Sequence, residues 1–308
     1  MSGVGVEQPR RPFADTESGR FGAAGIAEQA AYAIRRRAAT GAPASPDAFR
    51  HEISLMGWRS IRAQPAMAPL VNLMNMVLWA MEDADTPERL RGAIGSATDS
   101  FIRQLDQNTD RVSQHARRLI ADGTTIVTIS FSTTVQRALL DAQRVGRRFT
   151  VICGESQPTF EGRQTAELLA SSGIAVRLVD DDAALAAVTS ANFAVVGADT
   201  LGLHGLTNRL GTRPLAEAAH AAGVPFYAFC GSEKFLPAGF PYGARAAPPH
   251  EQLPTELVST KRYFDTTPLS LLAGIVTEQG VLPVEGIEAW LAATRLHPSL
   301  ANPEHAEF

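Results

Sequence analysis

T-T-I-V-T-I-S-F-S-T-T (Thr124–Thr134) is a run of β-branched residues that ends in hydroxyls, and three later segments repeat its form. F-T-V-I-C (Phe149–Cys153) runs into Gly154-Glu155-Ser156, F-A-V-V-G (Phe193–Gly197) into Ala198-Asp199-Thr200, and F-Y-A-F (Phe226–Phe229) into Cys230-Gly231-Ser232-Glu233-Lys234. All four read as short strands, and the segments between them read as helices. Strands alternating with helices imply a parallel sheet, and open parallel sheets bind ligands beyond the carboxyl ends of their strands. Ser130, Glu155, Asp199 and Lys234 are therefore the first candidate site. The competing explanation is that loops after strands are polar in any protein.

Downstream of Thr134, helices are expected over Ser132–Gly146, with Val135, Leu139 and Leu140 inward, and over Glu161–Gly173. A short strand follows at Ile174–Val179. Asp180-Asp181-Asp182 reads as a helix N-cap and not a metal site, since carboxylates suit helix starts. Gly205–Gly211 reads as a turn-rich loop and Pro214–Gly223 as a helix. Tyr263–Pro268 is expected to lead into a helix containing Leu269, Leu272 and Ile275, followed by Val281-Leu282-Pro283 and a last helix around Trp290. Upstream, a helix starts at Gly22, with Ile26, Ala30, Ala33 and Ile34 on one face. Ser45-Pro46-Asp47 starts a second, Pro69–Met81 forms a third, and Thr86-Pro87-Glu88 starts a fourth reaching about Ala121, with a break near Gly95. The expected organisation is a disordered tail at 1–19, a helical N-terminal domain at 20–121, and a Rossmann-like α/β domain with a mostly parallel sheet at 122–308.

The 308 residues fit about two domains, and 45% hydrophobic with 19% charged residues fits a soluble globular chain. A formal net charge of -4 gives no electrostatic footprint for nucleic acid. Arg35-Arg36-Arg37, Arg117-Arg118 and Arg147-Arg148 read as solvated faces. Cys153 and Cys230 are the only cysteines, without a CxxC pair, so no disulfide framework or structural zinc is expected. The seven histidines are scattered without metal-ligand spacing; His204, in the loop after Asp199, is kept as a titrating candidate. No cofactor is implied. No apolar run approaches the ~20 residues of a membrane helix, and the N-terminus shows no signal-peptide core, so a cytoplasmic protein is expected.

Further motifs run in order along the chain: G-A-A-G-I-A-E-Q-A-A from Gly22, Q-P-A-M-A-P-L-V-N (Gln64–Asn72), G-E-S-Q-P-T-F-E-G-R-Q-T-A-E-L-L (Gly154–Leu169), G-A-D (Gly197–Asp199), N-R-L-G-T (Asn208–Thr212), S-E-K-F (Ser232–Phe235) and F-D-T-T-P…G-V-L-P (Phe264–Pro283). Together they resemble the family of ribose-1,5-bisphosphate isomerase, methylthioribose-1-phosphate isomerase and the alpha, beta and delta subunits of the exchange factor for eukaryotic translation initiation factor two. The resemblance implies a helical N-terminal domain on a Rossmann-like domain, assembled as a homodimer or higher homo-oligomer. It also implies isomerase chemistry that moves hydrogen between C1 and C2 of a sugar 1-phosphate, with a cysteine as base and an aspartate as acid. The aspartate position falls on Asp199 and the cysteine position on Ser130, a much weaker acid than a thiol.

Ligand contacts are expected at Gly22 and Ala23, which could offer helix N-terminal amides to an anion, at the strand-end residues Ser132, Thr133, Thr134 and Glu155, and, by the same resemblance, at Gln64, Asn208, Arg209 and Lys234. Phe21, Gln64 and Gln157 stand where the isomerases carry arginines, and Arg209 stands for a lysine. Arg20 and Arg62 lie one and two residues before the lost positions. Three neutral residues in place of cations imply a ligand with less negative charge, or one held differently. Two functions follow: an enzyme acting through Asp199, with Ser130 assisting, on a small sugar, nucleoside or related metabolite; or a non-catalytic ligand-sensing subunit. Cys153 and Cys230, at strand ends, are weighed as thiols near the cavity against buried structural residues.

Overall fold

The computed structural model describes residues 22–41, 45–241 and 262–301. The expected tail at 1–19, with Arg20 and Phe21, lies outside them. Four helices come first, α1 (Ala23–Thr40), α2 (Pro46–Ala63), α3 (Ala68–Met81) and α4 (Pro87–Ala116). Two begin on capping hydroxyls followed by proline: Ser45 Oγ accepts from the Ala48 amide at 3.1 Å and Thr86 Oγ1 from the Arg89 amide at 3.2 Å. Ala30 and Ile34 of α1, Phe49 and Ile53 of α2, Leu73 and Met74 of α3, and Leu90, Ile94 and Phe101 of α4 share one core. The expected break near Gly95 does not occur, and α4 ends at Ala116, short of Ala121. A glycine inside a helix costs only about 1 kcal/mol, and the buried stripe from Leu90 to Ala116 outweighs it.

Beyond α4 the chain alternates: β1 (Thr125–Thr128), α5 (Thr133–Arg144), β2 (Thr150–Gly154), α6 (Glu161–Ser171), β3 (Ala175–Val179), α7 (Asp181–Ala187) and β4 (Phe193–Val196). Next come β5 (Thr200–Gly202), β6 (Gly205–Arg209), α8 (Thr212–Ala221), β7 (Phe226–Phe229), β8 (Phe264–Thr267), β9 (Gly274–Thr277), β10 (Gly280–Leu282), α9 (Ile287–Ala293) and α10 (Pro298–Ala301). Seven strands form one sheet in the order β10-β9-β7-β4-β1-β2-β3, parallel except for β10. From β1 the chain winds outward through β2 and β3, then returns so that β4 lies on the other side of β1. Such a reversal opens a crevice between the two strand ends. Ser130 follows one of those strands and Asp199 the other.

Two expectations are corrected. Gly205–Gly211 is mostly strand: β6 pairs antiparallel with β5 and with β8, making a second, three-stranded sheet. The partner strand β8 lies more than fifty residues away in sequence, so no local pattern announces the pairing. The helix expected over Leu269–Ile275 is a 3-10 turn at Leu269–Leu271 followed by β9, which pairs parallel with β7. Short apolar runs do not separate helix from strand by periodicity, and the β-branched Ile275-Val276-Thr277 settle into the sheet.

Candidate active site

Pairing within the fold brings Asp199 and Lys234 together. The Asp199 amide donates to the Thr207 carbonyl at 3.0 Å, anchoring the residue at the root of the β5–β6 hairpin. Leu201 bridges Phe235, and the Leu236 amide reaches the Leu201 carbonyl at 2.8 Å, which holds Lys234 alongside. The Gln64–Ala68 turn closes the same region: the Ala68 amide donates to the Asp199 carbonyl (3.1 Å) and to Thr200 Oγ1 (2.9 Å), and Thr200 Oγ1 donates to the Ala66 carbonyl (2.8 Å). Asp199 is 7% exposed, and its Oδ2 is buried without a hydrogen-bond partner among the described residues. Burial pushes its carboxyl above the usual carboxylate range, and the charges of Arg209 and Lys234 pull it partly back. Lys234, also buried, is lowered by desolvation against the opposing pull of Glu233 and Asp199.

Ser130 lies in the left-handed region at φ 66°, a conformation that costs a non-glycine residue about 1–3 kcal/mol and persists where neighbours over-determine it. Three hydrogen bonds do so. Its amide donates to Ser156 Oγ (2.6 Å), its carbonyl accepts from Thr165 Oγ1 (2.7 Å), and its hydroxyl donates to Glu161 Oε2 (2.9 Å). Among the described residues the other non-glycine positive-φ positions, Ser156 and Phe160, lie in the loop that delivers Glu161. Glu161 opens α6, is 1% exposed, and places Oε1 2.7 Å from Arg209 Nη2. Burial raises its carboxyl; Arg209 and the Ser130 hydroxyl oppose that rise and Asp199 adds to it. Arg209 in turn stacks on the Phe264 ring at 4.8 Å.

Ser130, Asp199, Arg209 and Lys234 thus gather with Glu161, a residue absent from the expected set. Its motif, F-E-G-R, lies in a loop and a helix start, whereas the strand-end pattern points to the earlier carboxylate, Glu155. Glu155 instead pairs with Arg163 at 2.8 Å. Ser132 caps α5 through the Val135 amide (3.3 Å), and a Cβ on Gly197 would run into its hydroxyl, so β4 closes tightly on this loop. Thr133 and Thr134 form the first turn of α5, one exposed and one buried. Gly22 and Ala23 start α1 beside the Phe131 carbonyl. Gln64 ends α2, half-buried. Asn208 turns its amide to Thr212 Oγ1 at 3.0 Å, while Asp265, opposite it in register, takes the Gly211 and Arg213 amides on Oδ2.

Cys153 is fully buried and its thiol is pushed up to about 12; Cys230 is buried and raised as well, so both are structural. His204 is exposed at the tip of the β5–β6 hairpin, away from the buried cluster. Among the described residues no group of three His, Cys, Asp or Glu side chains is arranged to hold a metal, and no helix is long and apolar enough to cross a membrane.

The ribose 1,5-bisphosphate isomerase of Archaeoglobus fulgidus is 30% identical over 274 residues, covering 86% of this chain and 86% of the relative. The crystal structure of the Pyrococcus horikoshii OT3 translation initiation factor eIF-2B superposes with a TM-score of 0.73 at 28% identity, covering 85% of this chain and 91% of that one. The tetrameric eIF2B-beta2-delta2 complex from C. thermophilum gives a TM-score of 0.70 at 22% identity, covering 87% and 88%, a likeness of fold alone. The family model described as the initiation factor 2 subunit family matches residues 19–284, and the chain belongs to that family.

Proposed function

We propose that this chain is an isomerase-like enzyme that moves a proton on a small sugar, nucleoside or related metabolite through Asp199. The observation that carries this is the buried Oδ2 of Asp199, left without a donor among the described residues while its carboxyl is raised toward holding a proton. Burying an unpartnered polar atom costs roughly 1–3 kcal/mol, and a ligand hydroxyl or carbonyl that meets it recovers that cost. A carboxyl held protonated near neutral pH is a general acid. The match to a ribose 1,5-bisphosphate isomerase over 86% of each chain supports the reaction class.

Charge sets the ligand. Glu161 already neutralises Arg209, and Glu233 faces the charge of Lys234. With Gln64 in place of a cation, the site suits a sugar or nucleoside without a 1-phosphate. The test is a thermal-shift and turnover screen of the full chain against ribose, ribose 1-phosphate, ribose 1,5-bisphosphate and nucleosides. Binding of an uncharged sugar or nucleoside, with interconversion that Asp199→Asn removes while binding stays, is the expected result. Tight binding of ribose 1,5-bisphosphate by the unaltered chain overturns the charge assignment.

Ser130, standing at the position the resemblance gives to a cysteine, favours a second reading: a subunit that senses the same ligand without turning it over. Ligand binding with no interconversion of any sugar in the screen, together with a ligand-dependent change in assembly, supports that reading. Assembly as a homodimer or larger homo-oligomer belongs to both readings, and sedimentation with and without ligand measures it.

A further inference from the structure

Serine is a poor base alone, because its hydroxyl proton has nowhere to go; a neighbour that accepts it changes the chemistry. Ser130 has such a neighbour. A carboxylate can only accept, so with Glu161 ionised the Ser130 proton points to Oε2 at 2.9 Å and the remaining lone pairs of Oγ are directed elsewhere. The Ser130 backbone is pinned through its amide by Ser156 and through its carbonyl by Thr165, which accepts in turn from Gln136 Nε2 at 2.9 Å, and the Glu161 contact holds the hydroxyl on that fixed backbone. Glu161 is engaged on both oxygens, Oε2 by the Ser130 hydroxyl and Oε1 by the Arg209 guanidinium.

We propose that Glu161 is the proton acceptor behind Ser130, so that Ser130 Oγ takes a proton from the ligand as it passes its own to Glu161. This rests on the acid–base reading of the site given above. In the step, one C–H bond of the sugar breaks and its electron pair stays on the ligand. The proton joins Ser130 Oγ, the original Ser130 proton joins Glu161 Oε2, and Asp199 gives its proton to the ligand oxygen. Nothing is oxidised or reduced overall, and the reverse transfers, with the proton returned to the neighbouring carbon, complete the shift.

Two buried carboxyls would both be neutral in a featureless interior, and their partners sort them. Glu161 Oε1 makes no hydrogen bond among the described residues, but the Arg209 guanidinium, itself held against Phe264, lies 2.7 Å away, and that cation opposes the upward push of burial and favours the ionised form a base needs. Asp199 Oδ2 makes no hydrogen bond among the described residues, and burial, the largest influence on its carboxyl, favours the protonated form against the pull of Arg209 and Lys234. Groups whose surroundings push their titration apart divide the acid and base roles between them. Glu161 is in this scheme a positioning residue, acting through Ser130.

The first test needs no substrate. In the full chain carrying Ser130→Cys, the rate of iodoacetamide alkylation against pH gives the titration of the introduced thiol, over a silent background from the buried Cys153 and Cys230. With Glu161 present the thiol should titrate about one unit higher than with Glu161→Gln, since a carboxylate at hydrogen-bond distance opposes the thiolate. Identical titrations overturn the proposal. In the second test, on the sugar that the screen identifies, Glu161→Gln in an otherwise unaltered chain should lower kcat about 100-fold. KM should change little, the acid limb of the pH profile should vanish, and Glu161→Asp should restore part of the rate. An unchanged kcat and pH profile overturn the proposal even if the thiol titrates as expected. A screen without turnover sinks the enzymatic reading instead, and the thiol titration then still decides whether Glu161 faces the proton of residue 130.

Discussion

Two carboxylates flank Lys234 at equal depth and are treated oppositely by the fold. Glu233, on one side, is a finished joint: its Oε2 accepts from Asn108 Nδ2 of α4 at 2.8 Å, and its carbonyl accepts from Asn72 Nδ2 of α3 at 2.8 Å. Asp199, on the other, has an oxygen that nothing among the described residues satisfies. Both are raised by burial. The difference teaches that burial and a shifted titration do not by themselves mark chemistry; the unfinished hydrogen bond does. A group whose partners all come from the fold holds the fold, and one left short is available to a ligand.

The largest effect that sharpens this contrast is on turnover. Asp199→Asn should reduce it about 1,000-fold with a Tm equal to or above that of the unaltered chain, because a buried carboxyl is removed and its Oδ2 has no hydrogen bond among the described residues to lose. A lowered Tm would make Asp199 a second joint. Next, Asn108→Leu strips Glu233 of its donor and should destabilise the chain by about 1–3 kcal/mol in urea unfolding; a neutral outcome would break the comparison from the other side. Gln64→Arg should then improve ribose 1,5-bisphosphate affinity by about 1.5 kcal/mol, roughly tenfold, in calorimetry. Unchanged affinity would place the phosphate elsewhere.

The smallest effect is a pH dependence from a third carboxyl, Asp265, which is half joint and half open: Oδ2 holds two amides at the start of α8 and Oδ1 has no hydrogen-bond partner among the described residues. Burial raises it from 3.8 to about 6. A folded-state value above the unfolded one means that the folded chain holds the proton more tightly. The contribution to stability is therefore present in full below 3.8 and is lost as pH rises through about 6. Asp265→Asn cannot titrate, so the Tm of the unaltered chain should fall relative to that variant between pH 4 and pH 7. Parallel Tm curves over that range would show that Asp265 is solvated enough to escape the penalty.

Much of this was legible in the residues. The hydroxyl–proline starts of α2 and α4, the strand ends bearing Ser130, Asp199 and Lys234, and the mostly parallel sheet all follow from local pattern. The companion of Ser130 did not. Glu161 lies seven residues past the end of β2, and the chain returns it to β1 only through the left-handed turns at Ser156 and Phe160, which are not glycines and give no signal. The β6–β8 pairing set Asn208 opposite Asp265 through contacts that no window of sequence contains. Both of these are long-range, whereas the helix expected over Leu269–Ile275 failed on a local ambiguity, a short apolar run whose period fits helix and strand alike.

The clasp in which Ala66 and Ala68 grip Thr200 joins residues more than 130 positions apart. Contacts of that span close late on a folding pathway, after local helices and neighbouring strands have formed. The backbone of Asp199, the acid proposed for the reaction, is tied to Ala68 by one of those late contacts. In a refolding experiment the return of ligand binding should therefore lag the return of helical signal, and a chain caught partway would be well ordered yet chemically silent.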